Sequence, residues 1–354
     1  MHVRVVRPDR LLPEELDEYL RQGWFRIGQA MMTCRVVQFD GELRPAIWTR
    51  LPTSGHKFQK SARRVFAKNE ERYRVEIGSV RLDDEHEELY QRYKRVARGE
   101  RSSSLYDFLF GESDRDVFDT REIRVWDGDR LVAFSWFDQG ADSVQSLIGV
   151  YDPSLSRDSL GYYTMLLEVR YAMEAGLAFH YPGYVLPGDA AMDYKLRLGE
   201  RVQFLDPWSR DWRPIGELEP VPMPTDRLEG ALRAARDALT AAGMPSEVRR
   251  YPWFEAPAWQ PDLASCLDQP MVLEVFPGRR GSSLLLVMYD VDRRSYALVR
   301  CLRARAVTRG RTDSDVPIEL WLVAERMTTR STPETLAAEV ARILDAAVVG
   351  ARTK

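Results

Sequence analysis

The strongest hydrophobic pattern in the chain runs from Gly161 to Gly176. Its apolar residues recur at helical spacing along one stripe: Tyr162, Met165, Leu166, Val169, Ala172 and Met173. Residues three and four positions apart share one face of a helix, and a glycine is well suited to the C-terminal cap. The pattern therefore predicts a helix that ends at Gly176.

Shorter apolar segments predict strands and helices on both sides of this helix. The predicted helices are Glu14–Arg21, Lys57–Asn69 and Asp84–Arg98, and the predicted strands are Tyr73–Val80, Glu122–Trp126, Leu131–Phe137, Val144–Tyr151 and Ala178–Tyr181. Residues Cys34–Thr49 alternate loosely around the turn residues Asp40 and Gly41, which predicts a hairpin. Strands followed by a helix and a further strand predict an α+β class with a crossover connection.

A proline-rich segment, Glu217–Asp226, divides the chain. Its three prolines disfavour a helix and favour an extended linker. After it, a helix at Asp226–Ala242, four strands and a closing helix are predicted: Met271–Phe276, Ser283–Tyr289, Tyr296–Ala304, Pro317–Ala324 and Pro333–Val348. We therefore predict one region at 1–216, a linker at 217–226 and a smaller accessory α+β domain at 227–354.

Composition and charge limit the classes of function. Of the 354 residues, 44% are hydrophobic and 30% are charged, which is typical of globular domains. The net charge of -3 gives no general attraction to DNA or RNA, so any RNA binding needs a local basic patch. The longest apolar runs, such as Leu284–Tyr289, are too short to span a bilayer, and the first ten residues lack the apolar core of a signal peptide. A cytoplasmic protein without a membrane partner is expected.

Several familiar catalytic motifs are absent from the sequence. It contains no GxSxG elbow, no Walker loop and no dinucleotide-binding fingerprint. Its cysteines, Cys34, Cys266 and Cys301, lie far apart, and its four histidines share no metal-ligand spacing. We therefore expect no bound zinc or iron–sulfur cluster. His180 lies in a predicted strand and is either a core residue or a catalytic one.

The predicted helix Lys57–Asn69 is amphipathic in an unusual way. Five cations lie on or beside one of its faces: Lys57, Lys60, Arg63, Arg64 and Lys68. Its opposite face is apolar, with Phe58, Ala62, Val65 and Phe66. A basic face that is anchored by an apolar one suits contact with an RNA backbone, although a solvated surface helix has the same pattern.

The loop before the predicted helix of Gly161–Gly176 reads Ser-Arg-Asp-Ser-Leu-Gly. Acetyltransferases of the GNAT type bind coenzyme A at such a helix start, where a glycine-rich loop and free backbone amides hold the pyrophosphate. Here only Gly161 is a glycine, and Asp158 would repel a phosphate. The arrangement therefore matches a GNAT-like fold without its cofactor signature.

The longer segment Tyr151–Arg197, which contains this loop, closely resembles the C-terminal domain of the arginyl-tRNA–protein transferases. The matching motifs appear in the family's order: Tyr151-Asp152-Pro153, Ser159-Leu160-Gly161, Glu168, Tyr181-Pro182-Gly183-Tyr184, Pro187-Gly188 and Met192-Asp193-Tyr194-Lys195. Residues 1–80 show a weaker resemblance to the family's N-terminal part. The family's Cys-x-x-Cys cluster is missing there, because Cys34 stands alone. The resemblance implies a GNAT-like mixed sheet with flanking helices.

The resemblance also implies an activity and a set of site residues. The expected reaction moves an amino acid, arginine or leucine-like, from a charged tRNA to the amino group of a protein N-terminus, with the aminoacyl-tRNA as co-substrate and no cofactor. Candidate catalytic residues are Glu168, Asp152 and His180, and candidate substrate-binding residues are Tyr151, Ser159, Gly161, Tyr181, Gly183, Tyr184, Lys195 and Arg197. Three alternatives remain: a peptide or small-metabolite acceptor, an acyl-CoA-dependent acetyltransferase, and a non-catalytic relative.

Overall fold

The computed structural model of the chain divides into two units. It describes residues 3–99, 101–111, 113–190, 192–219, 221–256, 265–276, 283–309 and 315–352. The larger unit comprises Val5–Thr33 and Ala46–Val221, and the smaller one comprises Met1–Arg4, Cys34–Pro45 and Pro222–Lys354. The smaller unit is therefore discontinuous in sequence.

The secondary-structure elements are numbered in chain order. The helices are α1 (Pro13–Arg21), α2 (Lys60–Glu70), α3 (Asp84–Lys94), α4 (Leu105–Phe110), α5 (Leu160–Glu174), α6 (Pro224–Ala241) and α7 (Pro333–Arg352). The strands are β1 (Val3–Val6), β2 (Phe25–Ile27), β3 (Ala30–Cys34), β4 (Val36–Phe39), β5 (Glu42–Pro45), β6 (Ile47–Pro52), β7 (Arg74–Ser79), β8 (Thr120–Asp127), β9 (Arg130–Gln139), β10 (Ser143–Tyr151), β11 (Phe179–Val185), β12 (Gln203–Leu205), β13 (Trp212–Pro214), β14 (Ser246–Arg250), β15 (Met271–Val275), β16 (Ser283–Asp290), β17 (Ser295–Arg309) and β18 (Asp315–Arg330). Short 3-10 turns cover Pro153–Asp158, Asp193–Leu198 and Ile215–Glu217.

The larger unit is built on an eight-stranded mixed sheet in the order β13-β12-β6-β11-β10-β9-β8-β7. Strands β7 to β10 form an antiparallel meander, and α5 then crosses over so that β11 pairs with β10 in parallel. This is the strand–helix–strand order that the sequence predicted. The predicted α+β class and the mixed sheet with flanking helices are confirmed.

Helices cover both faces of this sheet. On one face, α2 and α5 bury a core that includes Phe66, Tyr163 and Leu166. On the other face, α3 and α4 pack Leu89 and Leu105 against the sheet, while α1 packs beside β3 and β11: Leu16, Leu20, Met31 and Tyr181. Neighbouring residues on β11 point to opposite faces, which is why His180 meets α5 and Tyr181 meets α1.

Charged groups are also buried in this unit. The Arg26 guanidinium lies 2.9 Å from Asp138 Oδ1, with side chains that are 3% and 0% exposed. His86 lies between Asp83 at 2.6 Å and Glu122 at 2.9 Å. Buried charges of this kind need their partners, because each would otherwise lose its hydration without compensation.

The smaller unit contains a five-stranded antiparallel sheet in the order β14-β15-β16-β17-β18. Helices α6 and α7 pack on each other and on this sheet. The β4–β5 hairpin also belongs to this unit, where α6 contacts β5 and Arg35 pairs with Asp292 at 2.5 Å. The unit thus combines strands and helices, and besides the residues after the proline-rich segment it includes Cys34–Pro45, which the sequence had assigned to the first region.

Two predicted boundaries in the first third of the chain were wrong. The predicted hairpin Cys34–Thr49 ends at Pro45, and the residues from Ile47 onward form β6 in the large sheet. The proline interrupts the alternation, and the apolar pattern resumes in a different sheet. The predicted helix Lys57–Asn69 begins only at Lys60, so Lys57 precedes the helix.

Two further helix boundaries also differ. Helix α3 ends at Lys94 and not at Arg98. Helix α6 begins at Pro224, inside the predicted linker. A proline is accepted in the first turn of a helix, where its missing N–H has no partner to lose. The prolines therefore mark the start of a helix as well as the end of the linker.

Candidate active site

The parallel strands β10 and β11 separate near the middle of the large sheet. Their register pairs Ser143 with Phe179, Val144 with His180 and Gln145 with Tyr181. Beyond this point β10 remains paired with β9, and β11 remains paired with β6, but β10 and β11 no longer pair with each other. A gap therefore opens between the two strands, and their backbone groups border it. A backbone that is free of sheet partners in this way can bind a substrate.

A lysine with a low pKa lies at this gap. Lys195 Nζ donates a hydrogen bond to the Tyr184 carbonyl oxygen over 2.8 Å. Burial, with a smaller contribution from the nearby Arg101, lowers the pKa of Lys195 to about 8. Gly183 lies beside the ammonium group, since a Cβ there would be in contact with Nζ at 3.4 Å, and its φ of 90° suits glycine. The gap thus holds a cation that can also lose its proton near neutral pH.

Tyrosines surround the same region. The rings of Tyr93 and Tyr151 lie 5.2 Å apart, and Gly161 allows Tyr151 to approach the start of α5, where a Cβ would meet that ring at 3.0 Å. Burial raises the pKa of Tyr194, with contributions from its neighbours Tyr93 and Glu168. The charge of Arg101 acts to lower the pKa of both Tyr194 and Lys195, so the three side chains lie near one another.

The start of α5 already holds a carboxylate. Asp158 forms ion pairs with Lys68 at 2.8 Å and Arg72 at 3.2 Å, and it accepts a hydrogen bond from the Tyr73 hydroxyl at 2.7 Å. Hydrogen bonds from Lys68 and Tyr73 hold the pKa of Asp158 below its usual range. Asn69 further fixes this loop by donating to the Asp158 carbonyl oxygen. The cations at this helix start are therefore committed to a side chain of the protein.

The basic face predicted on α2 is exposed. All five predicted cations are exposed, and the opposite face packs into the core through Phe58, Ala62, Val65 and Phe66. Lys68 forms an ion pair with Asp158, and Arg63 donates a hydrogen bond to the Phe58 carbonyl oxygen. Within the described residues no ion pair is found for Lys57, Lys60 or Arg64. These three cations are available to an external anion.

The catalytic candidates have different surroundings. Glu168 and His180 are fully buried and lie 3.0 Å apart through Oε2 and Nε2. Their other polar atoms, Oε1 and Nδ1, have no hydrogen-bond partner within the described part of the chain. Asp152 caps the turn after β10 by accepting from the Ser154 amide, and it pairs with Arg130 at 3.2 Å. The catalytic roles of all three stay predictions.

The predicted substrate-binding residues fall into two groups. Those at the gap or the adjoining helix start are Tyr151, Ser159, Gly161, Gly183, Tyr184 and Lys195. Tyr181 is only 5% exposed, with its ring 5.8 Å from that of Trp212, so it offers no free face for base stacking. Arg197 is exposed, and its guanidinium lies 5.3 Å over the Tyr162 ring.

Sequence reasoning missed Tyr93 and Arg101. Tyr93 lies on α3, and Arg101 lies in the segment between α3 and α4, far from the motif that drew attention. A local excess of basic residues around Arg98 and Arg101 was the one available signal. Arg98 pairs with Asp189 at 3.2 Å, at the end of the segment that follows β11.

Comparisons with known proteins match the same part of the chain. Residues 85–203 match the family model described as the C terminus of arginine-tRNA-protein transferase. An aspartate/glutamate leucyltransferase of Phenylobacterium zucineum is 34% identical over 186 residues, which cover 48% of this chain and 70% of that protein. The chain belongs to the arginine-tRNA-protein transferase family. It is therefore an aminoacyltransferase, as the sequence motifs indicated.

Other members of the arginine-tRNA-protein transferase family are also similar. An aspartate/glutamate leucyltransferase of Campylobacter jejuni strain RM1221 is 28% identical over 189 residues, or 52% of this chain and 77% of that protein. Similar solved structures include a GCN5-related N-acetyltransferase from Anabaena variabilis, with a TM-score of 0.32, 13% identity and coverage of 80% of this chain and 60% of that one. Another is L-PGS from Bacillus licheniformis, with a TM-score of 0.32, 11% identity and coverage of 50% and 51%.

The described residues offer neither a metal site nor a membrane-spanning helix. No group of three or more histidine, cysteine, aspartate or glutamate side chains in this part of the chain is arranged to hold a metal ion. None of the described helices is long and apolar enough to cross a membrane. The three cysteines are each buried, and none of them forms a disulfide in the part of the chain that the structure describes.

Proposed function

We propose that this chain transfers leucine from a charged tRNA to the α-amino group of a protein or peptide that begins with aspartate or glutamate. The relatives named above are aspartate/glutamate leucyltransferases, which supports both the amino acid and the acceptor. The observation that carries the proposal in this chain is the Lys195 ammonium group at the gap between β10 and β11. An acidic first residue would place its carboxylate against this cation.

The reaction is the aminolysis of an ester. The neutral acceptor amine attacks the aminoacyl carbonyl carbon, a C–N bond forms, and the C–O bond to the terminal ribose breaks. The amine proton leaves with the ribose oxygen, so the tRNA departs with a free hydroxyl group. The gap contributes by holding both reactants in one place and by offering backbone donors to the developing oxyanion. No covalent enzyme intermediate is needed.

The tRNA would approach over the exposed basic face at the N-terminal part of α2. Lys57, Lys60 and Arg64 are exposed and lack ion pairs among the described residues, so they suit phosphate oxygens. The start of α5 lies next to this helix, because Lys68 and Asn69 contact the loop of Asp158. A tRNA that lies on α2 could thus extend its aminoacylated end towards the gap.

We also propose that the enzyme needs no cofactor and acts in the cytoplasm, without a DNA or membrane partner. Asp158 lies two residues before α5, and its carboxylate would repel an acyl-CoA pyrophosphate there while already holding Lys68 and Arg72, which argues against coenzyme A as the donor. The aminoacyl-tRNA is then the co-substrate that supplies the activated acyl group.

A transfer assay tests this proposal. The purified chain is mixed with tRNA charged with radiolabelled leucine or arginine and with peptides that begin with aspartate, glutamate, asparagine or alanine. Label from leucine should appear on the aspartyl and glutamyl peptides and not on an N-acetylated aspartyl control, whose amine is blocked. Absence of transfer from either charged tRNA, or acetyl transfer from acetyl-CoA to these peptides, would overturn the proposal.

A further inference from the structure

Three half-buried tyrosines, Tyr93, Tyr151 and Tyr194, form a cluster where β10 ends. Helix α3 brings Tyr93 to Tyr151, the last residue of β10, and the two rings meet edge to face. Burial is the main cause of the raised pKa of Tyr194, and Tyr93 and Tyr151 add to it, so the three hydroxyl groups lie near one another. An edge-to-face contact occupies one face of one ring only, so this contact leaves ring faces open to a further planar group.

The hydroxyl groups of this tyrosine cluster are not used in the described part of the chain, where no hydrogen bond is found for them. Other tyrosines of the larger unit donate to oxygen atoms of the protein: Tyr73, Tyr90, Tyr162 and Tyr171. A half-buried hydroxyl group without a protein partner can bind water or a ligand. The cluster therefore combines apolar ring faces with polar edges.

An open cleft begins next to the tyrosine cluster. Its volume is about 500 Å³, and its lining includes Arg92 and Asp152, which follow or precede the cluster residues directly in the chain. A space of this size can hold a nucleoside. The cleft carries both acidic and basic side chains: Glu85, Glu88, Asp152, Arg92 and Arg130. Mixed charges of this kind suit an uncharged polar group better than a phosphate.

The chemistry of the donor restricts where its end can lie. A tRNA carries its amino acid as an ester on the ribose of the terminal adenosine, so the adenine base lies one sugar ring away from the reacting carbonyl. A carbonyl in the gap therefore places the base against the nearby walls. The Tyr151 ring lies there, against Gly161 at the start of α5, and the basic helix α2 adjoins that start through Asn69. The Tyr184 ring, by contrast, already contacts that of Trp48 at 5.3 Å.

We infer that the tyrosine cluster binds the terminal adenosine of the donor tRNA, with its base stacked on Tyr93 and Tyr151. The inference rests on the proposed function and adds the residues that position the end of the tRNA. Tyrosine rings accept a base through its π face, and the hydroxyl groups can bind its polar edge or the ribose. The side chain of an acceptor aspartate or glutamate has no such flat face, and its carboxylate is matched by Lys195.

Binding of two uncharged tRNAs tests this inference. One tRNA is complete and the other lacks only its terminal adenosine, so the difference in affinity isolates that nucleoside. The wild-type chain should bind the complete tRNA about 5- to 150-fold more tightly in filter binding, which is the effect of one stacked base. Neither RNA carries leucine, so packing of the donor side chain on the tyrosines cannot produce this difference.

Variants assign the difference to the cluster. Tyr93→Ala should weaken binding of the complete tRNA by a similar factor and leave the truncated tRNA unaffected, while Tyr93→Phe keeps the ring and most of the difference. Tyr106→Ala is the matched control, because Tyr106 is 55% exposed and its ring contacts that of Phe110. A complete tRNA with 2-aminopurine in place of the terminal adenine gives a readout that needs no variant. Its fluorescence should fall on binding to the wild type, since stacking quenches it.

The outcomes separate this inference from the proposed function. If the wild type binds both tRNAs equally, or if Tyr93→Ala and Tyr151→Ala each weaken both by the same factor, the adenosine assignment is wrong whether or not leucine is transferred. If the expected differences appear but no charged tRNA supports transfer, the proposed function is wrong and the adenosine site remains. If neither tRNA binds, both are wrong.

Discussion

Replacement of Lys195 by methionine tests how the acceptor is recognised. Methionine is also unbranched and is only one atom shorter, so it removes the charge while the packing beside Gly183 changes little. The wild-type ammonium lies at the gap, where it donates to the Tyr184 carbonyl oxygen at 2.8 Å. A hydrogen bond between charged groups contributes about 1.5–3 kcal/mol, which corresponds to about 10- to 150-fold in kcat/KM. The variant should lose this factor for an aspartyl peptide and keep its rate with an asparaginyl peptide.

The pKa of Lys195 adds a second readout. With a pKa of about 8, about nine-tenths of the side chain is charged at pH 7 and about one-tenth at pH 9. The attacking amine titrates in the same range, so a single pH profile is ambiguous. The ratio of kcat/KM for the aspartyl and asparaginyl peptides cancels that shared titration. This ratio should fall as the pH rises through about 8 in the wild type and should stay flat in Lys195→Met.

The assay measures initial rates of leucine transfer to both peptides from pH 6.5 to 9.5. Lys94→Met is the matched control, since Lys94 also donates to a carbonyl oxygen, that of Ser103 at 3.4 Å. Its peptide ratio should match the wild type at every pH. A wild-type ratio that does not change with pH, or a Lys195→Met ratio equal to that of the wild type, would refute the assignment of Lys195 to the acceptor.

Three other expectations concern binding, stability and pH. The double change Lys60→Ala with Arg64→Ala should weaken tRNA binding and reduce its salt slope by about one unit per lost contact, and an unchanged slope in filter binding would remove α2 from the RNA site. Arg26→Leu should lower the free energy of unfolding by about 3–5 kcal/mol in urea titrations, because Asp138 stays buried without its partner, and a loss under 1 kcal/mol would contradict this. Burial acts to lower the pKa of His86, yet its carboxylate partners raise it above 6.5 overall, so its contribution to stability is present below pH 6.5 and is lost as the pH rises through the folded pKa. His86→Gln should flatten that part of the stability profile.

The sequence predicted the elements with strong periodicity. Helix α5 and the strands before it were found because their apolar residues repeat regularly over many positions. The short strands β2, β12 and β13 were missed, since three residues carry too little pattern. The prediction joined the start of β6 to the preceding hairpin, because Pro45 is the only sequence feature that separates the two. Alternation along the chain does not say which sheet a strand joins.

The candidate site could be predicted only where its residues are close in sequence. The motif between Tyr151 and Lys195 contains most residues of the gap. Tyr93 and Arg101 were not identified, since Tyr93 lies on α3 and Arg101 lies between α3 and α4, both far from this motif in sequence. The proposed charges and contacts at the gap are tertiary properties that no local pattern contains.

The discontinuous smaller unit has a consequence for how the chain is made. The β4–β5 hairpin leaves the ribosome early, but the next part of its unit begins at Pro222, roughly 180 positions after Pro45. At typical synthesis rates of about 5–20 residues per second, the hairpin waits roughly 10–40 s for α6, which packs on β5. A chain that ends at Val221 would leave this hairpin permanently without that partner. Removal of the C-terminal region should therefore yield a protein prone to aggregation during expression, even though the gap of the candidate active site lies entirely in the larger unit.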